Sequence, residues 1–448
     1  MIKEPSKQYD GSLKIHKISY DPLHVLGTGS METKVFQGRF EGKRKVAVKR
    51  VSVEYWSNAD REQALFLQAD DHENVLRYYA TEQCSRYCYL ALELCEATLE
   101  QFIELDHPEH YANQSVDGLQ ILRQALHGID YLHNLDKPIV HRDVKPSNVL
   151  IYIPKGDSSP RGKIADLGMS KQLKHHRQTV TMSTKSGTNG WMAPEVIKEI
   201  VKKNDKRKFT ASLKVDVFCS GLLLYYVKSK GKHPFDARKK GDEEEDDDEE
   251  DDDDDDQLIR NYNIKKGKRN LKDLDQMLDG IYLNLIEKMI SAKPANRPSM
   301  KACLNHPAFW EKKRVLEFLT QASDYLKEAK EAPPSVKAAI EQNDSVFASS
   351  DWISEMDPII QKDLRENTHV KYKGQKVQHI LQAIRDYSHH FNDKSPEVRG
   401  TLISLDKGLA EYFLDKFPAL LLHTFKAMET CKSNDRLAPF YDATYSFA

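Results

Sequence analysis

Between residues 20 and 95, short β-branched and aromatic runs alternate with glycines, as in VFQGRF (35–40) and KVAVKRV (45–51). Runs of this length bounded by glycine predict the strands of a small sheet. A helical stretch interrupts them. CYLALELC (88–95), apolar almost throughout, then predicts a buried strand. From about residue 115 the period changes, with Leu119, Leu122, Leu126, Ile129 and Leu132 recurring every three or four positions. That spacing predicts an amphipathic helix and the start of a mainly helical lobe.

After HPAFW (306–310) the pattern is helical again to about residue 430, with APP (332–334), Pro396 and Pro418 as breaks or helix starts. In a helix starting near Lys376, Val377, Ile380, Leu381, Ile384 and Tyr387 form one apolar stripe. Gln378, Gln382 and Arg385 fall on the other side, so Arg385 is expected to face solvent or a ligand. The fold class expected is α+β: a bilobed unit of sheet and helices followed by an all-α domain. The expected divisions are an N-terminal tail (1–17), the bilobed unit (18–310), the helical domain (311–440) and a C-terminal tail (441–448).

Charge alters this picture in one place. The formal net charge is −2, but the run DEEEDDDEEDDDDDD at 242–256 carries −15, leaving +13 on everything else. The run cannot bury apolar area, and a disordered insertion is expected at about 238–258. The basic remainder suits phosphate-bearing partners, ATP and RNA among them. The longest apolar stretch, around Leu222 to Val227, is far short of the ~20 residues of a membrane span. The opening MIKEPSKQYDGS lacks a signal-peptide core, so a cytoplasmic placement is expected. Six cysteines without CxxC spacing indicate reduced, buried thiols rather than a zinc site or disulfides.

The chemistry sits in short strings. LGTGSMETKV (26–35) places Gly27 and Gly29 where backbone N–H groups can approach phosphates, with Glu32 where a third glycine is usual. VAVK puts Lys49 on the next strand to reach the α- and β-phosphates, and Glu62 can hold it. HRDVKPSN is the most specific string: Asp143 is placed to accept a substrate hydroxyl proton, and Asn148 to bind magnesium. Lys145 between them resembles the serine/threonine type of this string. ADLG supplies Asp166 for the metal, with Leu167 where Phe is usual, and WMAPE closes the segment at Glu195.

These strings, in this order, resemble the protein kinase superfamily from about residue 18 to 310. The resemblance implies ATP/ADP and Mg2+ as cofactors. The nucleotide-binding set it implies is Gly27, Gly29, Val35, Lys49, Glu62, Glu93, Cys95, Asn148 and Asp166, with Asn148 and Asp166 as the metal ligands. Asp143 and Lys145 are the expected catalytic pair, and Glu195 with Arg297 the expected buried ion pair. Ser183, Thr184 and Ser186, among other hydroxyls before Glu195, are the expected phosphosites.

In the C-terminal domain Tyr372, Arg385 and His390 fall within 19 residues. Such a trio suits metal-independent RNA cleavage, in which one group takes the 2′-OH proton, Arg stabilises the phosphorane and His protonates the leaving oxygen. DREQALFLQADDHENVLRYYATEQ (60–83), LALELCEATLEQFI (90–103), YKGQKVQHILQAIRDYSHHF (372–391) and FPALLLHTFKAMETC (417–431) resemble the inositol-requiring kinase/endoribonuclease family, the unfolded-protein-response sensors. Ribonuclease L is a more distant likeness, because its kinase is degenerate.

That resemblance implies a kinase domain followed by a KEN-type ribonuclease domain, with His390 as general acid and Tyr372 as general base. It also implies homodimers or higher oligomers, the chain itself as phosphorylation substrate, stem-loop mRNA as nuclease substrate, and a place on the cytosolic face of the endoplasmic reticulum membrane. Asp386 departs from the pattern, since the family has Asn there and an ionised aspartate repels phosphate. It leaves open the alternative of an active kinase whose C-terminal domain is only a dimerisation or docking module.

Overall fold

The computed structural model describes residues 4–29, 32–54, 72–104, 116–154, 159–167, 170–172, 180–182, 187–201, 209–236, 253–328, 332–342, 346–366, 370–403 and 408–447. The chain divides into two compact units: Met1–Asn270 with Met289–Met300, and Leu271–Lys288 with Lys301–Ala448. The boundary expected from sequence falls near residue 310. By packing, 271–288 and 301–310 group with the C-terminal helices.

In the first unit the alternating runs form one antiparallel sheet. Its strands are β1 (Ser6–Lys7), β2 (Leu13–Ile15), β3 (Ile18–Thr28), β4 (Lys34–Phe40), β5 (Arg44–Ser52), β6 (Tyr78–Gln83) and β7 (Tyr87–Glu93), in the order β1-β2-β3-β4-β5-β7-β6. Ile18, Tyr20, Phe36, Val46, Val48, Tyr89 and Ala91 pack into the core on one face. The helical stretch expected before CYLALELC falls largely at 55–71, outside the described residues.

The helical part of this unit starts as expected, with Gly118–His133 burying Leu122, Leu126, Ile129 and Leu132. Asp117 caps it, its carboxylate accepting from Leu119 N at 2.9 Å. The apolar helix Lys214–Lys228 contains thirteen consecutive buried residues, Val215 to Val227, and so lies at the centre of the lobe. Among the described residues no helix is long and apolar enough to cross a membrane.

The acidic insertion requires a correction. Residues 253–258, expected to be disordered, form the first turns of the helix Asp253–Lys266, while 237–252 lie outside the described residues. Aspartates at a helix N-terminus and Lys265 and Lys266 in its last turn both complement the helix dipole. Gly267, at φ +70°, then ends it.

The second unit is all helical: Lys312–Lys327, Pro334–Ile340, Pro358–Glu366, Val377–His389, Pro396–Ile403, Leu409–Lys416 and Leu420–Met428. Pro334 and Pro396 start helices, and Pro418 falls between the last two. The stripe Val377, Ile380, Leu381, Ile384 and Tyr387 is buried, as its spacing requires.

The expected tail at 441–448 is not a free end. Tyr441 donates to Phe425 O at 2.7 Å, and Phe447 is buried with its ring 4.6 Å from that of His306. The buried side chains of Tyr441 and Phe447 supply the apolar area that folds this segment back.

Candidate functional site

Three neighbouring strands bring residues of the expected nucleotide-binding set into register: Gly27 on β3 opposes Val35 on β4, which opposes Lys49 on β5. A Cβ at Gly27 would meet nothing within 4 Å, so the space beside that backbone is open for a ligand. Glu32, after Gly29, is exposed and held at φ +58°, a left-handed conformation that glycine adopts without strain. Lys49 Nζ is 2.6 Å from Asp166 Oδ1, so the lysine and the expected metal ligand already share one site. At the end of β7 the Glu93 carboxylate turns inward to Lys163, 3.0 Å away, and half-buried Cys95 follows.

The loop carrying Asp143 is fixed from beneath. Asp216, fully buried, accepts from His141 N and Arg142 N and pairs with His133 Nε2, each at 2.8 Å. Burial alone would raise this carboxyl; the hydrogen bonds and neighbouring positive charge outweigh burial and hold it below the usual carboxylate range. His141 Nε2 contacts Ala165 O at 2.9 Å, tying the Asp143 loop to the Asp166 segment. Arg142 (φ +74°) and Asp166 (φ +63°) are both left-handed, and such strain is characteristic of functional sites.

Asp143 is gripped on both oxygens. Thr188 Oγ1 donates to Oδ1 at 2.7 Å, Asn148 Nδ2 donates to Oδ2 at 2.8 Å, and Lys145 Nζ lies 3.3 Å from Oδ2 and 2.8 Å from Thr188 Oγ1. Thr188, which holds Asp143 here, is a contact that the sequence reading missed. Its only sequence signal is its place four residues before Met192 of WMAPE. Since Asn148 holds Asp143 by its nitrogen, its Oδ1, the end that ligates a cation, is not the end so held. A carboxylate and an amide oxygen are hard donors that suit magnesium. Leu167, replacing Phe, is buried. Farther off, Arg297 is fully buried and forms the expected bidentate pair with Glu195, both bonds at 2.8 Å. Glu62, Ser183, Thr184 and Ser186 lie outside the described residues.

In the second unit, Tyr372, Arg385 and Asp386 converge. Tyr372 Oη donates to Asp386 Oδ2 at 2.9 Å, and Arg385 Nη1 donates to Asp386 Oδ1 at 3.0 Å. Arg385 does not simply face solvent or a ligand, as its helix position suggested, because its Nε pairs with Asp324 from the helix Lys312–Lys327. Burial works against the guanidinium charge, but the hydrogen bonds and charges of Asp324 and Asp386 outweigh it and raise its pKa further. Burial, then the charge of Asp386 and the hydrogen bond to it, push the Tyr372 hydroxyl far above the usual tyrosine range.

His390 is one turn on, its N–H donating to Asp386 O at 2.9 Å. Its exposed ring is 3.2 Å from Asp393. Gly374 allows the loop carrying Tyr372 to pass against Asp351, and Gly374 O accepts from the N–H of fully buried Trp352 at 3.0 Å.

A lysine paired with the aspartate expected to bind metal, a glycine-bearing strand in register with it, and a clamped aspartate in the HRD string are the arrangement expected of a protein kinase. The chain belongs to that family: the protein kinase domain model matches residues 20–309, and the ribonuclease 2-5A model matches residues 315–441. This is the pairing that the resemblance to the inositol-requiring kinase/endoribonucleases implied.

Curated relatives agree. The chain is 36% identical over 435 residues to the human serine/threonine-protein kinase/endoribonuclease IRE2, covering 95% of this chain and 43% of the relative. It is 33% identical to the Caenorhabditis elegans serine/threonine-protein kinase/endoribonuclease ire-1, covering 95% and 41%. It is likewise 33% identical to the Schizosaccharomyces pombe sensor for unfolded proteins in the ER, ire1, covering 93% and 38%. The chain thus spans about two-fifths of the length of these relatives.

Proposed function

We propose that the chain is a bifunctional enzyme, a serine/threonine protein kinase that phosphorylates copies of itself and a metal-independent endoribonuclease. The kinase reading is supported by the grip on Asp143, which would hold its carboxylate toward a substrate hydroxyl and let it accept the proton as phosphoryl transfer begins. Lys49 would hold the α- and β-phosphates, Gly27 and Gly29 would admit them to the backbone, and Asn148 and Asp166 would hold magnesium. Bound Mg-ATP supplies the phosphoryl group and the charge neutralisation for its transfer. Lys145, bonded to Thr188 and close to Asp143, would place positive charge beside the incoming phosphoryl group. Ser183, Thr184 and Ser186 are the proposed acceptors, on a neighbouring copy.

The nuclease reading is carried by the convergence of Tyr372, Arg385 and Asp386 one turn before His390. Arg385 would neutralise the phosphorane and His390 would protonate the leaving 5′-oxygen, giving a 2′,3′-cyclic phosphate and a 5′-hydroxyl. The substrate class proposed is a stem-loop in mRNA, cut for splicing or decay in the unfolded protein response. A homodimer or larger assembly on the cytosolic face of the endoplasmic reticulum is the proposed working state. The test pairs two variants. Asp143→Asn should abolish self-phosphorylation and His390→Ala RNA cleavage. Phosphorylation persisting in the first, or cleavage in the second, would remove the corresponding half of the proposal.

A further inference from the structure

The position that departs from the family pattern is the one at which the site converges. Asp386 accepts the Tyr372 hydroxyl on one oxygen and Arg385 on the other, so a single carboxylate touches both groups required at the attacking end of RNA cleavage. Two consequences follow. Tyr372, already donating its proton and resistant to ionisation, cannot take a second proton unless it passes the first one on. The only acceptor it is bonded to among the described residues is Asp386.

Arg385 meanwhile keeps donors in reserve. Its guanidinium has five N–H groups, and the carboxylates of Asp324 and Asp386 occupy Nε and one position on Nη1. Among the described residues nothing bonds the Nη2 edge, which leaves it for a phosphate. The two aspartates therefore orient the guanidinium without using all of it. Among the described residues, the charged groups near Asp386 are Arg385 beside it, Asp324 from Lys312–Lys327, Asp363 from Pro358–Glu366, which raises the Tyr372 hydroxyl further, and Lys394, 2.7 Å from Asp363; His390 follows just past the helix end.

We propose that Asp386 is a positioning residue that serves as the proton sink of RNA cleavage, acting through Tyr372. As the ribose 2′-oxygen attacks phosphorus, its proton moves to Tyr372 Oη while the tyrosine's own proton moves to Asp386 Oδ2. The bond from phosphorus to the 5′-oxygen breaks, and that oxygen takes a proton from His390. One proton enters the site at Asp386 and one leaves at His390, and exchange with water restores both. This inference rests on the nuclease reading above and adds that the unusual carboxylate drives cleavage rather than blocking it.

The alternative, that Asp386 acts only by repelling phosphate, makes the opposite forecast for one substitution. Asp386→Asn keeps an oxygen for the Tyr372 hydrogen bond and removes the negative charge, but an amide cannot take the proton. A proton sink predicts that kcat falls about 10²- to 10⁴-fold, the usual worth of a general base, with KM unchanged or lower. Tyr372→Phe should lose about as much, and the double variant little more, because the two act as one unit.

The experiment is single-site cleavage of a labelled stem-loop RNA by the full chain, in wild type, Asp386→Asn, Tyr372→Phe, the double variant and His390→Ala. Affinity for the same RNA with a 2′-deoxy residue at the cut site confirms that each variant is folded. A kcat loss in Asp386→Asn with retained affinity supports the proposal. Asp386→Asn cleaving as fast as wild type or faster overturns it while the nuclease reading stands. Cleavage surviving in His390→Ala, or absent from both wild type and Asp386→Asn, overturns the nuclease reading and this inference with it.

Discussion

Gly374→Ala should disable the nuclease and leave the kinase intact, and its cost can be worked from the local contacts. A Cβ at this position would overlap the Asp351 carboxylate and lie 3.0 Å from Asp351 Cβ. Asp351 is not idle: its Oδ1 accepts from Ile353 N at 3.1 Å and its Oδ2 from Arg365 at 3.5 Å. If Asp351 swings away, the cap is lost at about 1 kcal/mol, and the exposed ion pair adds little. If the loop moves instead, overpacking costs about 1–3 kcal/mol and carries Tyr372 with it, since Lys373 O and Gly374 O both accept from Trp352.

At about 2–4 °C per kcal/mol for a unit of this size, a cost of about 1–3 kcal/mol should lower Tm by about 2–12 °C. Misplacing a reacting group by about 1 Å costs on the order of 100-fold in rate. Calorimetry with RNA cleavage and self-phosphorylation on one sample gives the comparison. The double variant Gly374→Ala/Asp351→Ala should recover part of the cleavage, because the obstructing carboxylate is gone. An unchanged Tm with full cleavage in the single variant would refute the close-approach argument.

Three further outcomes follow from the geometry. Thr188→Ala removes a charge-assisted hydrogen bond to Asp143 worth about 1.5–3 kcal/mol, so self-phosphorylation should slow about 10- to 100-fold with little change in the KM for ATP; an unaltered kcat would contradict the clamp. Glu32→Gly relieves a left-handed residue and removes a carboxylate from the phosphate-binding loop, so the KM for ATP should fall by a few-fold; a rise would contradict this. His233 and His306 are each pushed down to about 3 by burial. The unfolded chain binds those protons first, near pH 6.5, so each histidine removes stability as pH falls from about 6.5 towards 3, by about 1.4 kcal/mol per pH unit. For His306, Asn284 Oδ1 on one nitrogen and Ala308 N–H on the other fix the neutral ring. His306→Asn should therefore flatten the fall in Tm between pH 7 and 5, and an equally steep fall would count against it.

The kinase half was legible because its chemistry lies in contiguous strings whose spacing places Gly27, Lys49, Asp143, Asn148 and Asp166 on known elements. Strand and helix periods likewise located the sheet and the buried stripe of Val377–His389. What escaped were partnerships between distant segments. Helical spacing put Arg385 on a polar face but could not reveal Asp324, 61 positions earlier on another helix. Thr188 resembles any loop hydroxyl until Asp143 is beside it. Asp386 was visible as a departure, but its two bonds to Tyr372 and Arg385 were not. The acidic run misled in its last residues because charge density argues against burial, not against an exposed helix whose N-terminus favours aspartate. The segment expected as a tail at 441–448 escaped, like those partnerships, because Tyr441 and Phe447 pack against Phe425 and His306, well before them in sequence.

The central claim is that one chain joins phosphoryl transfer to metal-independent RNA cleavage. It is tested most directly by the end groups on a labelled stem-loop RNA incubated with nucleotide-bound wild-type protein, then freed of metal by chelator before cleavage is timed. The account predicts cutting at a defined site that continues in chelator, with a 2′,3′-cyclic phosphate on one product and a 5′-hydroxyl on the other. Cleavage that stops with the metal, products ending in 3′-hydroxyl and 5′-phosphate, or no cleavage at all would contradict it.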